Sequence, residues 1–347
     1  MPLWAGAIAI ILLALLIDRF IGEFPNRYHP LRWMGNILGA IDRRLEKRKG
    51  ARAVVLGILS YFLLVILFGG IFLGICALLR VYVPAPYGEI LWIIASAFFL
   101  KIGFAIFSFR KHCDPIVKDL EDGKTEDAAT KVQMIVSRNT EGMDAEHIAS
   151  SCCETISENY ADSVCSPLFF SGLLGLLGSV IFRCSNLMDA MWGYRNDKYG
   201  DLGHFAARLD DVLGYVTSRI SIFFIALGAL FLGMDWRSAV PAARREHRMT
   251  PSPNSGWPMT ATAAALGISM EKKDVYVMNP GNPLPSPKDI TRCLRLVELS
   301  SVLFVFIVVL PLYVFAGVHV QIFSENLLIT FFEKLISAVA DLTGAVL

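Results

Sequence analysis

The sequence predicts an all-α polytopic integral membrane helical bundle, in which some helices are re-entrant or half-buried around a polar cavity. Of its 347 residues, 54% are hydrophobic and only 18% are charged, whereas soluble domains carry about 25% charged residues. The mean hydropathy is +0.52, and the apolar residues are gathered in long uncharged runs. We therefore expect one membrane-embedded domain over residues 1–347.

The uncharged runs define the expected spans, because a helix needs about 20 apolar residues to cross the hydrocarbon core. Clear spans are expected near residues 1–17, 53–79, 90–109 and 299–318. Two other runs, 164–182 and 220–234, are expected to form additional membrane-associated helices. Acidic Asp18 follows the first run and no basic segment precedes it, which favours a retained helix over a signal peptide.

Lysine and arginine indicate the side of the polar segments. Residues 18–52 hold nine basic and four acidic side chains, and residues 235–298 hold nine basic ones, so both are expected in the cytoplasm. Residues 110–163 are expected there too, with a site that faces the cytoplasm. Lys101 lies inside an expected span and must either snorkel or pair with a carboxylate. Residues 326–347 have the pattern of an amphipathic interfacial helix.

Three carboxylates lie beside one of the apolar runs. Glu154, Glu158 and Asp162 are spaced i, i+4 and i+8, so a helix places them on one face within about 80°. Like charges at this spacing repel, and unpaired charge at the membrane boundary is costly. Arg138 or a hard divalent cation such as Mg²⁺ would compensate. A solvated helix face is the alternative.

A second polar cluster falls between residues 185 and 219, where polar side chains recur at helical spacing. Its members are Asn186, Asp189, His204, Arg208, Asp211 and Tyr215. The adjacent Asp210 and Asp211 point in different directions on a helix, so only one of them is expected to reach the same ligand as Arg208. An ordinary ion pair between Arg208 and Asp211 is the alternative.

The third polar segment is SPNSG at residues 252–256. Proline fixes φ, and asparagine and glycine tolerate positive φ, so the composition predicts a turn. Arginines precede it in the chain, so its exposed amides are also suited to a phosphate or carboxylate. Both interpretations stay open at this point.

Charge and cysteine content exclude several classes of site. The net charge of +1 lacks the basic footprint of a nucleic-acid-binding protein. The seven cysteines include no CxxC pair, which argues against a zinc site or a disulfide framework and favours a packing role. The DGKT at residues 122–125 lacks the earlier glycine of a P-loop.

Four blocks of the sequence, in order, resemble the CobD/CbiB family of cobalamin biosynthesis. They are DRFIGEFPNRYHPLRWMG at 18–35, SRNTEGMDAEHIASSCCETISENYADSVCSPLFF at 137–170, NLMDAMWGYRNDKYGDLGHFAARLDDVLGYVTSR at 186–219 and SPNSGWP at 252–258. The resemblance covers nearly the whole chain. It implies an integral membrane ligase that attaches (R)-1-aminopropan-2-ol, or its O-phosphate, to the free propionate of adenosylcobyric acid. ATP and Mg²⁺ are implied, and the product is adenosylcobinamide or its phosphate.

Carried onto this chain, the resemblance implies three sets of site residues, which are expected to meet around one cavity. The candidate catalytic residues are Glu154, Glu158, Arg138 and Arg208. The candidate residues for binding ATP and the other substrates are Arg138, Asn159, Asn186, Tyr194, Arg208, Arg219, Ser252 and Asn254. The candidate metal ligands are Glu158, Asp162, Asp189, Asp210 and Asp211. Mg²⁺ would bridge phosphates and the arginines would clamp phosphate oxygens, while Glu154 would take the proton of the amine.

The chain departs from the family pattern at several positions, including Ser137 in place of a glycine and a Gly-rich stretch that is not recognisable near 274–282, and at four further ones. Ala129 replaces an arginine, Asn139 an aspartate, Gly214 an asparagine and Thr217 a proline. These departures bear on substrate choice and on activity.

Two other functions stay open at this point. One is a membrane Mg²⁺-dependent prenyl or phosphatidyl transferase, for which a clear ordered aspartate repeat is expected and not found. The other is a non-catalytic transporter or signalling relative; inverted repeats would favour a transporter, and none is found. The lipid bilayer is an expected partner. Whether the amine is phosphorylated, and whether the chain forms a homo-oligomer, are left open.

Overall fold

The computed structural model describes residues 1–45, 49–194 and 196–343. Residues 46–48, 195 and 344–347, which the predicted domain includes, lie outside the described residues. The described chain is almost entirely helical, which confirms the all-α class. Its elements are α1 (Leu3–Phe20), α2 (Pro30–Leu45), α3 (Ala51–Tyr82), α4 (Tyr87–Ile102), α5 (Phe109–Glu121), α6 (Thr125–Val132), α7 (Ala145–Asn159), α8 (Ser166–Leu174), α9 (Leu176–Trp192), α10 (His204–Phe231), α11 (Trp236–Glu246), α12 (Gly256–Leu266), β1 (Met270–Lys272), β2 (Tyr276–Met278), α13 (Pro287–Phe304), α14 (Leu310–Leu312) and α15 (Val318–Thr343).

Four helical segments of the described chain are long and apolar enough to cross a membrane. They are Leu3–Phe20, Ala51–Tyr82, His204–Phe231 and Pro287–Val339. Three of them correspond to the spans expected near 1–17, 53–79 and 299–318. The remaining segment, His204–Phe231, joins most of the expected helix 220–234 to the polar stripe that precedes it. One continuous helix therefore carries both.

The span expected over 90–109 is shorter in the structure. Helix α4 has 16 residues, a length of about 24 Å, and the chain leaves the helix at Gly103. A Cβ at Gly103 would lie 1.9 Å from the Oγ of Ser179. Only a glycine allows this close approach to α9, and the helix ends at this residue although the hydropathy pattern continues.

The irregular segment after α4 is held by buried charges. The Asp18 carboxylate accepts hydrogen bonds from the backbone nitrogens of Ile106 (2.9 Å) and Phe107 (3.1 Å). The Nζ of Lys101, which is buried, lies 3.1 Å from Asp18 Oδ1 and 2.6 Å from Glu23 Oε1. Non-helical backbone at membrane depth requires such protein partners. Of the two interpretations of Lys101, pairing with carboxylates is confirmed.

The run expected at 164–182 is two short helices rather than one. Helix α8 has nine residues, about 14 Å, which is too short to cross the bilayer and fits a half-buried helix. Gly175 breaks the run with a φ of +65°, and α9 packs back against α8. A Cβ at Gly178 would lie 1.9 Å from the carbonyl oxygen of Phe170, so the glycines permit the close helix contact.

The C-terminal residues continue the last span. From α13 to α15 the chain stays helical through two π-helical segments, Val305–Val309 and Tyr313–Gly317. The described part of 326–347, for which an amphipathic interfacial helix is expected, is helical and continues α15. The fully buried Glu325 bonds to Arg80 Nε (2.7 Å) and Trp92 Nε1 (2.9 Å), so this helix packs against α3 and α4.

Helix α7 lies in the larger of two hydrophobic cores. Ile148, Cys152 and Ile156 are fully buried at i, i+4 and i+8, and α7 contacts α12, α13 and β1. Glu154 and Glu158 consequently project from the opposite side of the helix. All seven cysteines of the chain are buried and free, which confirms their packing role.

Candidate active site

A polar cavity of about 430 Å³ lies where α7, the turn before α12 and the β-hairpin meet. We call it the Arg138 cavity. The polar side chains that line it include Arg138, Glu154, Glu158, Asn159, Ser252, Lys272 and Tyr276. The structure thus brings together two of the blocks identified in the sequence, residues 137–170 and 252–258.

Glu154 is anchored on all sides in this cavity. Arg138 bonds both of its oxygens, Nη1 to Oε1 at 3.2 Å and Nη2 to Oε2 at 2.6 Å. Ser150 Oγ donates to Oε1 (3.2 Å) and Tyr276 donates to Oε2 (2.5 Å). Glu154 is only 2% exposed. Arg138 is therefore the cation that compensates this carboxylate, and Glu154 can accept a proton only after one of these bonds breaks.

Glu158 is the carboxylate that remains available, one turn further along α7. Among the described residues its side chain has no hydrogen-bond or ion-pair partner, although it is half-buried at the cavity wall. Burial raises the pKa of Glu158, and the charge of Glu154 raises it further, against the opposing effect of Lys272 and Arg138. A carboxylate in this setting is suited to binding a cation or a proton.

A series of carboxylates leads away from Glu158. Asp162 lies in the π-helical segment Tyr160–Cys165 and interacts electrostatically with Glu158, Asp189 and Asp210. We call Glu158, Asp162, Asp189 and Asp210 the carboxylate cluster. π-Helical turns are frequent at functional sites, and this one lies against α7, α8 and α10.

Buried polar atoms without partners test whether the cluster fits a cation. Oδ1 of Asp210 and Nε of Arg183 are buried and have no hydrogen-bond partner among the described residues, which is costly unless a ligand satisfies them. Within the same residues, no three His, Cys, Asp or Glu side chains converge closely enough to hold a metal ion. Mg²⁺ commonly uses only one or two carboxylates together with water and substrate phosphates. The cluster fits Mg²⁺ that arrives with phosphates.

Arg208 and Asp211 line a second cavity of about 320 Å³, with Tyr194 and His204. We call it the Tyr194 cavity. Glu158 lines the Arg138 cavity, whereas Arg208 and Asp211 line the Tyr194 cavity. The expectation that the predicted site residues all surround one cavity is therefore wrong. The separation follows from α10, on which Asp211 faces the Tyr194 cavity while Asp210 interacts with Asp189 and Asp162. Asp210 and Asp211 diverge as predicted, and the carboxylate cluster lies between the two cavities.

The 252–256 turn links the Arg138 cavity to α10. Ser252 lines the cavity, and its Oγ accepts from the backbone nitrogen of Asn254 (3.2 Å). Asn254 Nδ2 donates to the carbonyl of Asp211 (2.8 Å), and its Oδ1 accepts from Arg219 Nη1 (3.2 Å). Asn254 and Arg219 therefore hold the turn in place, and Ser252 is the one of the three that reaches the cavity.

Each of these four departures from the family pattern has a structural counterpart. A Cβ at Gly214 would lie 2.8 Å from Asn254 Nδ2, so the glycine makes room for the turn. Thr217 is fully buried, and its Oγ1 lies 2.6 Å from Ser166 Oγ, which joins α10 to α8. The buried Ala129 accepts through its carbonyl from Thr140 (2.8 Å), which positions the segment that carries Arg138. Asn139 Oδ1 accepts from the backbone nitrogen of Glu141 (3.0 Å), which orders the same segment locally.

Sequence reasoning missed three residues near the site. Lys272 and Tyr276 come from the hairpin, in which β1 pairs with β2 through Lys272 opposite Tyr276. Arg183 interacts electrostatically with Asp162 and Asp210 and donates from Nη1 to Asn186 (3.3 Å). A signal existed only for Arg183, because a charged residue at the end of an apolar run is a functional candidate.

Comparison with known proteins gives consistent matches over most of the chain. A family model described as CobD/Cbib protein matches residues 11–297. A probable cobalamin biosynthesis protein CobD of Methanothermobacter thermautotrophicus is 36% identical over 85% of this chain and 93% of the relative. The corresponding protein of Thermococcus kodakarensis is 37% identical over 88% and 96%, and a cobalamin biosynthesis protein CobD of Clostridium perfringens is 29% identical over 77% and 83%. No solved structure matches the chain.

Proposed function

The chain belongs to the CobD/CbiB protein family, and from that premise we propose that it acts in cobalamin biosynthesis as an ATP-dependent ligase. The proposed reaction joins the free propionate of adenosylcobyric acid to (R)-1-aminopropan-2-ol or its O-phosphate. The observation that carries the proposal is the position of the Arg138 cavity, with its cationic Arg138 and Lys272, directly beside the carboxylate cluster. In that cluster, Asp210 Oδ1 has no hydrogen-bond partner within the described part of the chain.

Amide formation in water requires a better leaving group than a carboxylate oxygen. In the proposed reaction, a propionate oxygen attacks the γ-phosphorus of ATP, ADP leaves, and an acyl phosphate forms. The amine nitrogen then attacks the acyl carbon, phosphate leaves with the bonding electrons, and a proton of the amine passes to a base. Holding the reactants in this order is the main task of the protein.

The Arg138 cavity supplies groups for the phosphates of ATP. Arg138 uses one N–H on each terminal nitrogen for Glu154 and retains further donors, and Lys272 adds a second positive charge. Ser252 and Asn159 contribute neutral hydrogen-bonding groups. Because Glu154 is fully hydrogen-bonded, its part in this proposal is to orient Arg138. Arg208 and Tyr194, which line the neighbouring cavity, are assigned to a substrate other than ATP.

One or two members of the carboxylate cluster, which comprises Glu158, Asp162, Asp189 and Asp210, would hold Mg²⁺ together with water and substrate phosphates, with Asp211 on the side of the Tyr194 cavity. When bound, Mg²⁺ neutralises charge on phosphate oxygens and orients them. Asn186 supports this arrangement, because its amide contacts both Arg183 and Asp210. Since ATP is supplied from the cytosol, we place the site on the cytoplasmic face of the membrane.

The test is an assay of the purified full chain in detergent with adenosylcobyric acid, either amine, ATP and MgCl₂. Formation of the amide with one ADP released per product supports the proposal. Corrinoid binding without ADP release would contradict it and favour a transporter. Inertness towards corrinoids together with transfer onto an added prenyl or phosphatidyl acceptor would favour a lipid transferase.

A further inference from the structure

A third cavity, of about 790 Å³, lies beside α9. It is lined by the loop before α2, by α2 itself, by the start of α5 and by α9. We call it the His29 cavity. Phe24, Leu31, Leu187 and Met191 form an apolar wall, and Arg32, Asn36, Lys111 and His112 supply polar groups. Ligand cavities in proteins range from about 300 to 1,000 Å³, and this one is near the upper end.

One wall of the His29 cavity is rigidly held. Glu23 accepts hydrogen bonds from Lys101 Nζ (2.6 Å) and Ser108 Oγ (3.0 Å), and its Oε2 lies 3.0 Å from His29 Nε2. The other ring nitrogen of His29 accepts from the backbone nitrogen of Leu31 (3.3 Å). Both nitrogens of His29 are thus engaged, and the cavity is preformed rather than dependent on a ligand to order it.

Arg183 connects this cavity to the carboxylate cluster. On α9, Leu187 and Met191, which line the His29 cavity, follow Arg183 at i+4 and i+8. The three residues lie within about 80° of one another, so Arg183 is on the same face of the helix as the two lining residues. The guanidinium interacts electrostatically with Glu23 on one side and with Asp162 and Asp210 on the other. Its Nε is buried without a partner among the described residues. A planar guanidinium with a free donor is suited to bind a carboxylate.

We propose that the His29 cavity seats the corrinoid macrocycle and that Arg183 binds its reacting propionate. The inference rests on the proposed ligase function and adds the substrate position to it. A corrinoid combines a broad apolar ring with peripheral amides, which match an apolar wall and a rim of Arg, Lys and Asn donors. When the ring lies in the His29 cavity, its free propionate binds Arg183, which also interacts with the carboxylate cluster. The smaller Arg138 cavity stays available for ATP.

The test compares corrinoid binding with nucleotide binding in variants of the full chain in detergent. Gly35 lines the cavity, and a Cβ there would lie 3.8 Å from Met191 Sδ, an ordinary contact. Gly35→Ala is therefore the matched control for Gly35→Trp, which fills the cavity. We expect Gly35→Trp to weaken binding of adenosylcobyric acid at least about tenfold, because it removes the volume that the ring occupies. Binding of ATP with MgCl₂, which also reports folding, should be unchanged.

A second variant tests the role of Arg183 with a different readout. Adenosylcobinamide lacks the free propionate. Arg183→Gln should therefore weaken the binding of adenosylcobyric acid at least about tenfold and leave the affinity for adenosylcobinamide within about twofold of the wild type. Equal loss for both ligands, or undiminished corrinoid binding by Gly35→Trp, would overturn the inference while leaving ligation intact. Weakened corrinoid binding by Gly35→Trp in a protein that forms no amide would instead support the inference and refute the ligase proposal.

Discussion

Gly214 and Asn254 are in close contact, since a Cβ on Gly214 would lie 2.8 Å from the Nδ2 of Asn254. That nitrogen donates to the carbonyl of Asp211, so the side chain is not free to move aside. The contact joins α10 to the 252–256 turn and so to the Arg138 cavity.

Gly214→Ala is expected to lower turnover about tenfold or more, because a shift of the turn misplaces Ser252 relative to the phosphates. The melting temperature should change little, since alanine favours a helix over glycine by up to about 1 kcal/mol and offsets the weakened hydrogen bond. Gly70→Ala is the control, because no atom lies within 4 Å of a Cβ there. Wild-type turnover in Gly214→Ala would show that the turn does not position the substrate.

Arg138→Ala should destabilise the protein by about 3 kcal/mol or more, because it leaves the buried Glu154 without its cation. Thermal unfolding in detergent measures the change. Arg110 and Glu298 provide a matched pair, with bonds of 2.6 and 2.7 Å but greater exposure. Arg110→Ala should cost less than about 1 kcal/mol. Equal losses of unfolding free energy in the two variants would contradict a larger contribution from the more buried Arg138–Glu154 pair.

Glu158→Gln should lower turnover at least about 100-fold, while the protein remains folded in the membrane. The substitution keeps the shape of a side chain that has no hydrogen-bond partner among the described residues. Its folded-state pKa is raised, so the charged carboxylate opposes folding above its unfolded pKa, and its replacement by a neutral amide should not lower the melting temperature. Glu146→Gln, at an exposed position on the same helix, is the control. Normal rates in Glu158→Gln would remove this residue from the metal site.

Mg²⁺ binding should weaken as the pH falls, because protons compete with the cation for Glu158. The raised pKa of Glu158 places this competition above the ordinary value of 4.5 for a glutamate. Calorimetric titration of MgCl₂ in the presence of ATP, in two buffers of different ionisation enthalpy, would detect the released proton. Glu158→Gln should release fewer protons, and an unchanged proton count would exclude Glu158 as a ligand.

Acid stability should depend on Glu23. Burial alone would raise the pKa of Glu23, but hydrogen bonds from His29 and Lys101 outweigh it and lower the pKa from 4.5 to about 2. The resulting stabilisation is fully present above pH 4.5, is lost as the pH falls through 2, and amounts to about 3 kcal/mol. Glu23→Gln should lose it at neutral pH and show a flatter acid unfolding curve. An acid unfolding curve of Glu23→Gln with the same slope as that of the wild type would contradict the role of Glu23 in acid stability.

The sequence indicated the membrane class, three of the four long spans and the helical stripe that begins at His204, because apolar length and periodicity are local properties of the chain. It also singled out Arg138 and Glu154, sixteen residues apart, as a candidate pair. The resemblance to a family supplied the remaining site residues, and the structure distributes them over two cavities joined by Asp162 and Asp210.

Tertiary packing alone decided which of these groups meet. The end of α4 at Gly103, the pairing of Lys101 with Asp18 and Glu23, the arrival of Lys272 and Tyr276 beside Glu154, and the position of Arg183 between two polar regions all depend on contacts between distant segments. The hydrophobic effect is non-directional, so it selects the segments that enter the membrane but not their facing partners. Close glycine contacts and the hydrogen bonds of buried charges fix those partners, and they exist only in the folded chain.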